Sequence, residues 1–369
     1  MLLIIILIGA LILYYVQEFI YKKYWDKGLD VKITFEQSHC TEGSRNTLIE
    51  VITNNKRLPL PLLHVKFNTP KSFLFKNEDN SSVTDYYYRD DVFSIMGYQS
   101  ITRKLQFTCS RRGCYYMNDT NLVSNDLFLQ KTFNTNKLNR SILHVYPAKV
   151  DVSVFDIPFN TITGRFATQK TLVEDPFEFR GIREYQPYDS IHNINWKSTA
   201  RTDRLQVNTF FMTSSQEVVI LLNLDTHIYT KNDKLVESSI RIASSLAERF
   251  IRAGIPVSLE SNGLDVFTKE RIFQPAGQGQ SHMAAIDNSL SRIDSGTDNA
   301  DFINIIKNIF KISDKNSFYI FISNSRHEDL TGYYTLLKEQ GICSYFIVPE
   351  YPSCEINNPA PDMIKWEVE

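Results

Sequence analysis

The sequence has few cysteines and no excess of charge of either sign. Its 369 residues include only five cysteines: Cys40, Cys109, Cys114, Cys343 and Cys354. An odd and sparse set of this kind favours free thiols in a reducing compartment over a disulfide framework. The 40 basic and 42 acidic residues leave a net charge of −2. We therefore expect no general attraction of the molecule to nucleic acid or to anionic lipid.

The chain also lacks the short motifs that mark common enzyme and metal sites. No Gly-x-Ser-x-Gly turn is present. The fragment GQGQ at 277–280 lacks the third glycine and the lysine of a phosphate-binding loop. Cys109 and Cys114 are close together in sequence, but a structural zinc site needs a second close pair. The sequence therefore predicts neither a cofactor nor a zinc centre.

One long apolar run lies near the start of the sequence. It extends from Leu2 to Val16, interrupted only by Gly9, and continues to Ile20, close to the ~20 residues that a bilayer requires. A cleaved signal peptide is the alternative, but no basic segment precedes the run and no small-x-small site follows it. Basic residues follow the run instead: Lys22, Lys23 and Lys27. We predict a single-pass helix over 1–21 in the cell membrane, with the large C-terminal part in the cytoplasm.

Short predicted strands follow over residues 29–147. Segments such as LDVKITFEQ and PLLHVKFNT alternate apolar and polar residues, and NNKRLPLP and KNEDNSS interrupt them. Strands at this spacing, with no helical run between them, are typical of an immunoglobulin-like β-sandwich. The cysteines and tryptophan that form the core of a true immunoglobulin domain are absent.

Residues 215–350 have a different pattern, in which strands alternate with helices. EVVILLNL (217–224) is a continuous apolar run, as expected of a strand covered on both faces. A helix is predicted to begin at Asn232 or Asp233 and to end before Gly254. Further helices are predicted over 281–293, 301–310 and 328–340, with strands in PVSLE, SFYIFIS and ICSYFIV. This alternation predicts an α/β domain with a parallel sheet, and we expect 351–369 to be a C-terminal tail.

The segment between these two parts, at 174–210, resembles the hallmark of the bacterial domain of unknown function 58 family. The matching positions are Arg180, Gly181, Arg183, Glu184, Tyr185, Pro187, Asp189, Ile194, Trp196, Ser198, Ala200, Arg201 and Leu205. The family pattern usually has glycine in place of Tyr188 and aspartate in place of Asn195. Members commonly carry two adjacent membrane helices, whereas this sequence shows one. The resemblance covers nearly the whole chain.

The resemblance implies that the C-terminal part is a von Willebrand factor A-like domain of Rossmann type. Such domains often hold a divalent cation where the strand order reverses, using an Asp-x-Ser-x-Ser loop. Here Asp225 is present, but His227 and Tyr229 replace the serines, and Asn324 lies near the position of a later aspartate. Neither replacement supplies a small hydroxyl at ~2.1 Å from Mg²⁺. We therefore expect a degenerate site that binds no metal.

Residues 174–210 could bind nucleic acid, catalyse hydrolysis, or stabilise the fold as a clamp. Five cations interleaved with Tyr185, Tyr188 and Trp196 could bind single-stranded nucleic acid, but six carboxylates balance them, so we expect no nucleic-acid binding. Asp189, His192 and Ser198 could form a hydrolytic triad, although closeness in sequence is not catalytic geometry. The balance of charges favours a clamp of ion pairs within 148–214, with aromatic anchors or a docking surface for a partner. The clamp residues are Arg180, Arg183, Glu184, Tyr185, Asp189, Trp196 and Arg201.

Partners are implied by the resemblance alone. Members are often encoded beside a MoxR-type AAA+ ATPase and a transglutaminase-like membrane protein, and no enzymatic reaction is established for the family as a whole. We expect a membrane-anchored, non-enzymatic scaffold or adaptor that works with a MoxR-type ATPase in envelope or membrane-complex assembly. The alternatives are a surface-exposed adhesin or sensor with the large domain outside, and a hydrolase.

Overall fold

The structure is a computed structural model that describes most of the chain. The described residues are 2–75, 81–83, 86–170, 174–187, 189–212, 216–225, 233–294, 301–312, 317–325, 328–352 and 363–368. The chain divides into two compact units. The first unit comprises Met1–Ala148 and Leu290–Arg292, and the second comprises Lys149–Ser289 and Ile293–Glu369.

The first unit begins with a long apolar helix, α1 (Leu2–Tyr24). Within the described residues it is the one helix long and apolar enough to cross a membrane. Its last two turns also contact the strands that follow. Tyr21 is buried and donates a hydrogen bond from its hydroxyl to the carbonyl of Pro59 (2.8 Å), and Trp25, just after the helix, is buried in the same core. The predicted helix is confirmed, and its C-terminal end is part of the folded unit.

Ten strands follow α1 among the described residues of the first unit. They are β1 (Leu29–Phe35), β2 (His39–Thr41), β3 (Arg45–Asn54), β4 (Leu60–Pro70), β5 (Phe73–Phe75), β6 (Ser81–Val83), β7 (Tyr86–Ile95), β8 (Ser100–Cys109), β9 (Gly113–Asn125) and β10 (Thr132–Tyr146). One sheet has the order β1-β3-β8-β5, and the other has the order β2-β10-β9-β4-β7-β6. Neighbouring strands are antiparallel except β2 and β10, which are parallel.

The two sheets of the first unit share one hydrophobic core. Strand residues alternate between faces, and one face of each sheet supplies the buried side chains. Leu48 and Ile52 come from the first sheet, and Leu63 and Val65 come from the second. The alternation in the sequence predicted these strands because burial repeats at every second residue.

The second unit contains six helices and two sheets among its described residues. Its helices are α2 (Asp156–Lys170), α3 (Trp196–Thr202), α4 (Asp233–Arg252), α5 (Gly279–Ser291), α6 (Phe302–Ile312) and α7 (Glu328–Glu339). Its strands are β11 (Glu174–Glu184), β12 (Gln206–Met212), β13 (Val218–Leu222), β14 (Val257–Leu264), β15 (Arg271–Gly277), β16 (Phe318–Ile322), β17 (Ser344–Glu350) and β18 (Met363–Glu367). β11 pairs only with β12, and the other strands form a sheet of order β15-β14-β13-β16-β17-β18.

Helices cover both faces of the six-stranded sheet. All five residues of β13 and of β16 are buried, which explains why these strands are continuous apolar runs rather than alternating ones. Val219 and Leu221 pack in one cluster with residues of α6 and α7, whereas α4 contacts the sheet from the opposite face. α4 begins at Asp233 as predicted, and Gly254, with a φ of +73°, follows its end.

The C-terminal region differs from the expected tail. Met363–Glu367 forms β18, which pairs in parallel with β17 so that Ile347 lies opposite Ile364. It is the sixth strand of the sheet. Its sequence, MIKWE, is short and is not part of the regular alternation of strands and helices before it. The sequence alone therefore did not predict this strand.

Candidate functional site

The segment singled out in the sequence forms a hairpin with a short helix inside it. β11 and β12 are antiparallel, with Arg183 opposite Val207 and Glu184 opposite Gln206. A turn of 3₁₀ helix (Ile191–Asn193) and α3 lie between the two strands. We call residues 174–212 the motif hairpin. The fold therefore brings most of the singled-out residues into one local structure within the second unit.

Arg183 and Asp189 form a bidentate ion pair in the motif hairpin. The two terminal guanidinium nitrogens of Arg183 donate to the two carboxylate oxygens of Asp189, each over 2.6 Å. Asp189 also accepts the backbone N–H of Gln186 (2.8 Å). The hydrogen bonds from Arg183 lower the pKa of the Asp189 carboxyl. A planar guanidinium matched to a carboxylate fixes geometry as well as charge, so this pair holds Asp189 against β11.

The remaining ion pairs differ from the expected network. Glu184 pairs with Arg204 (2.9 Å), and Arg201 forms no ion pair with any residue that the structure describes. The reason is the alternation of strand side chains, which places Arg183 and Glu184 on opposite faces of β11. The result is two separate pairs, Arg183–Asp189 and Glu184–Arg204. The side chain of Arg180 and residue Tyr188 lie outside the described parts of the chain.

The aromatic anchors are also arranged differently from the expectation. The backbone N–H of Tyr185 bonds to the carbonyl of Leu205 (2.9 Å), and its side chain is half-buried. Trp196 is instead 65% exposed. Asn195 and Thr199 face β12, where both contact Gln206, and Trp196 lies about 100° round the helix from Asn195. The indole therefore lies off the helix face that contacts β12.

Trp196 is one of several exposed apolar side chains of the motif hairpin. The others are Phe179, Ile182, Ile191 and Leu205. Lys197 follows Trp196 directly and, like Arg201, forms no ion pair among the described residues. Lys197 and Arg201 are four residues apart on α3 and are therefore neighbours on its surface, where like charges repel weakly. The hairpin surface thus combines exposed apolar groups with two cations that form no ion pair among the described residues.

Asn195 holds the start of α3 in place. Its side-chain oxygen accepts the backbone N–H of Ser198 (2.9 Å), the usual N-cap bond. Its side-chain nitrogen donates to the side-chain oxygen of Asn208 on β12 (2.7 Å). Asn208 was not among the residues singled out in the sequence, and Arg204 was only one of the five cations considered for nucleic-acid binding. Both lie in the part of the chain that returns along β11, so a predicted hairpin register would have brought them beside Asn195 and Glu184.

Asp189, His192 and Ser198 do not form a hydrolytic arrangement. In the part of the chain that the structure describes, no hydrogen bond joins any two of these side chains. The carboxylate of Asp189 is instead engaged by Arg183 and Gln186. A triad requires hydrogen bonds from nucleophile to base and from base to carboxylate.

The C-terminal end of the sheet carries a buried polar network at the predicted position of the degenerate metal site. The side-chain amide of Asn223, after β13, donates to the hydroxyl of Ser323, after β16 (3.0 Å). The amide of Asn262 donates to the side-chain oxygen of Asn223 (2.9 Å), which also accepts the backbone N–H of Asp225 (3.0 Å). Asn324 is buried beside Ser323.

The side chains of this network are uncharged amides and hydroxyls, which form hydrogen bonds with one another. The strand order reverses between β13 and β16, the position at which open α/β sheets bind ligands. Amides and hydroxyls from three strand ends bond to one another there. His227 and Tyr229 lie outside the described residues. No group of three or more His, Cys, Asp or Glu side chains suited to a metal occurs among the described residues, and the expected degeneracy stays a prediction.

Cys109 has a different neighbour from the one its sequence position suggests. Its sulfur lies 3.3 Å from the sulfur of Cys40, and both thiols are buried in the first unit. Cys40 is on β2 and Cys109 is on β8, so the pair joins the two sheets. The hydrogen bond with Cys109 lowers the pKa of Cys40 to about 7. The four cysteines that the structure describes are all free thiols.

Comparison with known proteins identifies one family. Residues 181–340 match the model of the family described as "Protein of unknown function DUF58". The match includes most of the motif hairpin and the larger part of the six-stranded sheet. No curated protein matches the chain.

Several solved structures show a weak similarity. They include the CARDB domain of a Pyrococcus furiosus protein in complex with di-metal ions (12% identity, 32% of this chain and 93% of that chain, TM-score 0.21). A non-cellulosomal cohesin from Archaeoglobus fulgidus has 10% identity over 35% of this chain and 97% of its own, with a TM-score of 0.20. BslA, a bacterial hydrophobin, has 12% identity over 33% and 97%, with a TM-score of 0.21. TM-scores this low carry no information about function.

Proposed function

The chain belongs to the DUF58 family, and on that premise we propose that it is a membrane-attached, non-enzymatic adaptor that binds a partner protein through the motif hairpin. The observation that carries the proposal is the exposure of Trp196 within the motif that defines the family resemblance. Tryptophan and arginine are over-represented among the residues that dominate binding energy at protein interfaces. A tryptophan kept only for stability would be expected in the core.

The motif hairpin is preorganised for binding. The Arg183–Asp189 pair holds Asp189 against β11, and Asn195 fixes α3 against β12. A surface already held in its bound shape loses less conformational entropy on association. The ordered backbone therefore supports a docking role for the exposed side chains.

The charged side chains of the motif hairpin indicate what chemistry a partner surface needs. Lys197 and Arg201 form no ion pair with any described residue, so a partner with carboxylates around an apolar pocket for Trp196 would complement both features. The family resemblance suggests a MoxR-type AAA+ ATPase as that partner, in envelope or membrane-complex assembly. A transglutaminase-like membrane protein would be a further component of the assembly.

Attachment to the membrane rests on α1. Ile4–Tyr24 has the length and composition of a membrane-crossing helix, and its exposed apolar part, residues 4–13, is the part that enters the bilayer. Lys22, Lys23 and Lys27 follow the apolar part, and the positive-inside rule places the side that carries them in the cytoplasm. The large C-terminal part would then meet a cytoplasmic ATPase.

Strand order supports a finer description of both units. In the first, β1-β3-β8 and β10-β9-β4 have the pairing and chain order of the A-B-E and G-F-C strands of an immunoglobulin sandwich, whereas β5, β6 and β7 follow a different chain order. In the second, counting strands from β13 yields the order 3-2-1-4-5-6 of a Rossmann-type sheet. The edge strand β15 is antiparallel. We describe the second unit as von Willebrand factor A-like on this basis.

The test is capture of partners from the native membrane by the tagged full chain, with and without ATP, read by mass spectrometry. We expect a AAA+ ATPase that is retained by wild type and lost with Trp196→Ala. Phe273→Ala is the matched control, because Phe273 on β15 is 60% exposed in the same unit. Equal recovery of the ATPase with both variants would exclude the motif hairpin as its docking surface. Recovery of no AAA+ ATPase in either condition would reject this partner class.

A further inference from the structure

The turn between β9 and β10 exposes three consecutive apolar side chains. Leu127, Phe128 and Leu129 are 50%, 48% and 55% exposed. Tight turns on a water-facing surface usually carry polar residues, glycine or proline. A cluster of large apolar groups at a turn indicates a surface that meets something other than water.

The turn is rigid and its shape is set by Asp126. The carboxylate of Asp126 accepts the backbone N–H of Gln130 (2.7 Å) and of Lys131 (3.1 Å), and its carbonyl accepts the N–H of Leu129 (3.0 Å). Leu129 has a φ of +58°, a left-handed conformation that glycine or asparagine would adopt at lower cost. The apolar side chain is therefore presented despite local strain.

Polar contacts fasten the base of the turn to α1. The side-chain amide of Gln17 donates to the carboxylate of Asp126 (2.8 Å), and both residues are buried. Lys131 pairs with Glu18 (3.6 Å). Burial raises the pKa of Asp126, but the hydrogen bonds from Gln17 and from the turn's backbone outweigh it and lower the pKa overall. The base of the turn is thus level with residues 17 and 18 of the helix.

The apolar tip of the turn is level with an earlier part of α1. The ring of Phe128 stacks on the ring of Tyr14, with centroids 6.2 Å apart, and the Tyr14 hydroxyl donates to the side chain of Gln130 (3.2 Å). Tyr14 precedes Gln17 and Glu18 by about one helical turn, roughly 5 Å along the axis. The tip therefore lies on the side of the polar contacts towards the apolar N-terminal part of the helix.

This direction is the one in which a membrane would be found. Residues 4–13 of α1 are apolar and exposed, and they are the part that would enter the bilayer. Tyr14 and Tyr15 follow this part, and tyrosine is enriched at the membrane–water interface. Phe128 stands at the same level as this aromatic pair.

We propose that Leu127–Leu129 insert into the headgroup region of the bilayer that α1 enters, as a second membrane contact of the first unit. The occupant of this apolar surface is lipid, because the surface is continuous with the apolar face of α1 and lies on its membrane side. Two contacts, one helix and one turn, hold the β-sheets at a fixed tilt to the membrane. The inference rests on the membrane attachment in the proposed function.

The test places a new tryptophan at the turn and measures its contact with lipid. The full chain with Phe128→Trp is reconstituted into phosphatidylcholine vesicles with or without bromine on the acyl chains, which quenches nearby tryptophan. Leu138→Trp is the matched control, because Leu138 is 79% exposed and lies on β10 about 20 Å along the strand from the turn. The three native tryptophans contribute equally to both variants.

We expect the added emission at position 128 to be blue-shifted and largely lost in brominated vesicles. The added emission at position 138 should be unchanged. Quenching equal at the two positions would overturn the proposal, as would concentration-dependent crosslinking between two copies of the chain through position 128. Leu127→Trp repeats the measurement if Phe128→Trp does not fold.

Flotation of the wild-type chain with the vesicles tests membrane attachment separately from insertion of the turn. A chain that does not float contradicts membrane attachment, and the inserted turn with it. A chain that floats while the tryptophan at position 128 stays unquenched contradicts the inserted turn alone.

Discussion

The carboxyl group of Glu50 lies in the interior of the first unit beside the carboxylate of Asp91. Both residues are fully buried, and Asp91 pairs with Arg103 (3.0 Å) and Arg89 (3.3 Å). Burial raises the pKa of Glu50 to about 8, and the negative charge of Asp91 adds to the shift while Arg103 and Arg89 oppose it. Glu50 is therefore protonated in the folded state at neutral pH.

We expect the first unit to lose stability as pH rises. A glutamate whose folded pKa exceeds its unfolded value binds more protons when folded, so its contribution is complete below about pH 4.5 and is lost as pH rises to about 8. The loss amounts to roughly 1.4 kcal/mol per pH unit within this window. Thermal unfolding of the full chain in detergent at several pH values measures it.

Glu50→Gln should remove this dependence, because glutamine is neutral at every pH and has nearly the same shape. Glu36→Gln is the control, since Glu36 is exposed on the same unit and should leave the slope unchanged. An identical pH slope in wild type and Glu50→Gln would mean that Glu50 ionises normally.

Asn195→Ala should destabilise the motif hairpin by about 1 kcal/mol, the usual cost of losing an N-cap. Asn195→Asp keeps the cap acceptor but loses the donor to Asn208, so we expect a smaller effect. Hydrogen exchange of the α3 amides reports the local change. Equal protection in wild type and Asn195→Ala would show that the side-chain cap contributes nothing.

Asp189→Asn should weaken partner capture more than it lowers the melting temperature. The side chains of Arg183 and Asp189 are 41% and 10% exposed, so water screens the pair on the arginine side and limits what it contributes to stability. The bidentate bond that holds residue 189 against β11 would nevertheless be lost. Arg204→Ala, which removes the more exposed pair with Glu184, should alter neither quantity. A large fall in the melting temperature with intact capture would favour a purely structural clamp.

The Cys40–Cys109 pair should report which side of the membrane holds the first unit. Thiols this close form a disulfide readily in an oxidising compartment and stay reduced in the cytoplasm. Alkylation of the denatured protein before and after reduction, read by mass spectrometry, distinguishes the two states. We expect two free thiols. A disulfide in protein from fresh cells would place the first unit on the oxidising side.

Buried strands and capped helices were accessible from the sequence. VVILL and FYIFI are uninterrupted apolar runs because both faces of β13 and β16 are covered. Asp233 lies in the first turn of α4, where acidic residues are favoured, and Gly254 follows its end with a positive φ. Such features depend on neighbouring residues and are visible without the fold.

Features that depend on contacts between residues distant in sequence could not be predicted from the sequence. The partner of Glu184 is Arg204 rather than Arg201 because the register of β11 on β12 decides it. Trp196 is exposed because a different face of the short helix α3 contacts β12, and the sequence does not show which face that is. α2 was missed because its sequence, DIPFNTITGRFATQK, has no clear apolar stripe.

The placement of β18 bears on how the second unit avoids self-association. At the opposite border of the sheet, β15 carries Arg271 and Pro275, which discourage pairing with another chain. β17 has no such protection, since six of its seven residues are buried. A chain shortened before Met363 would leave β17 as an open, apolar border and would be expected to form cross-β contacts between molecules.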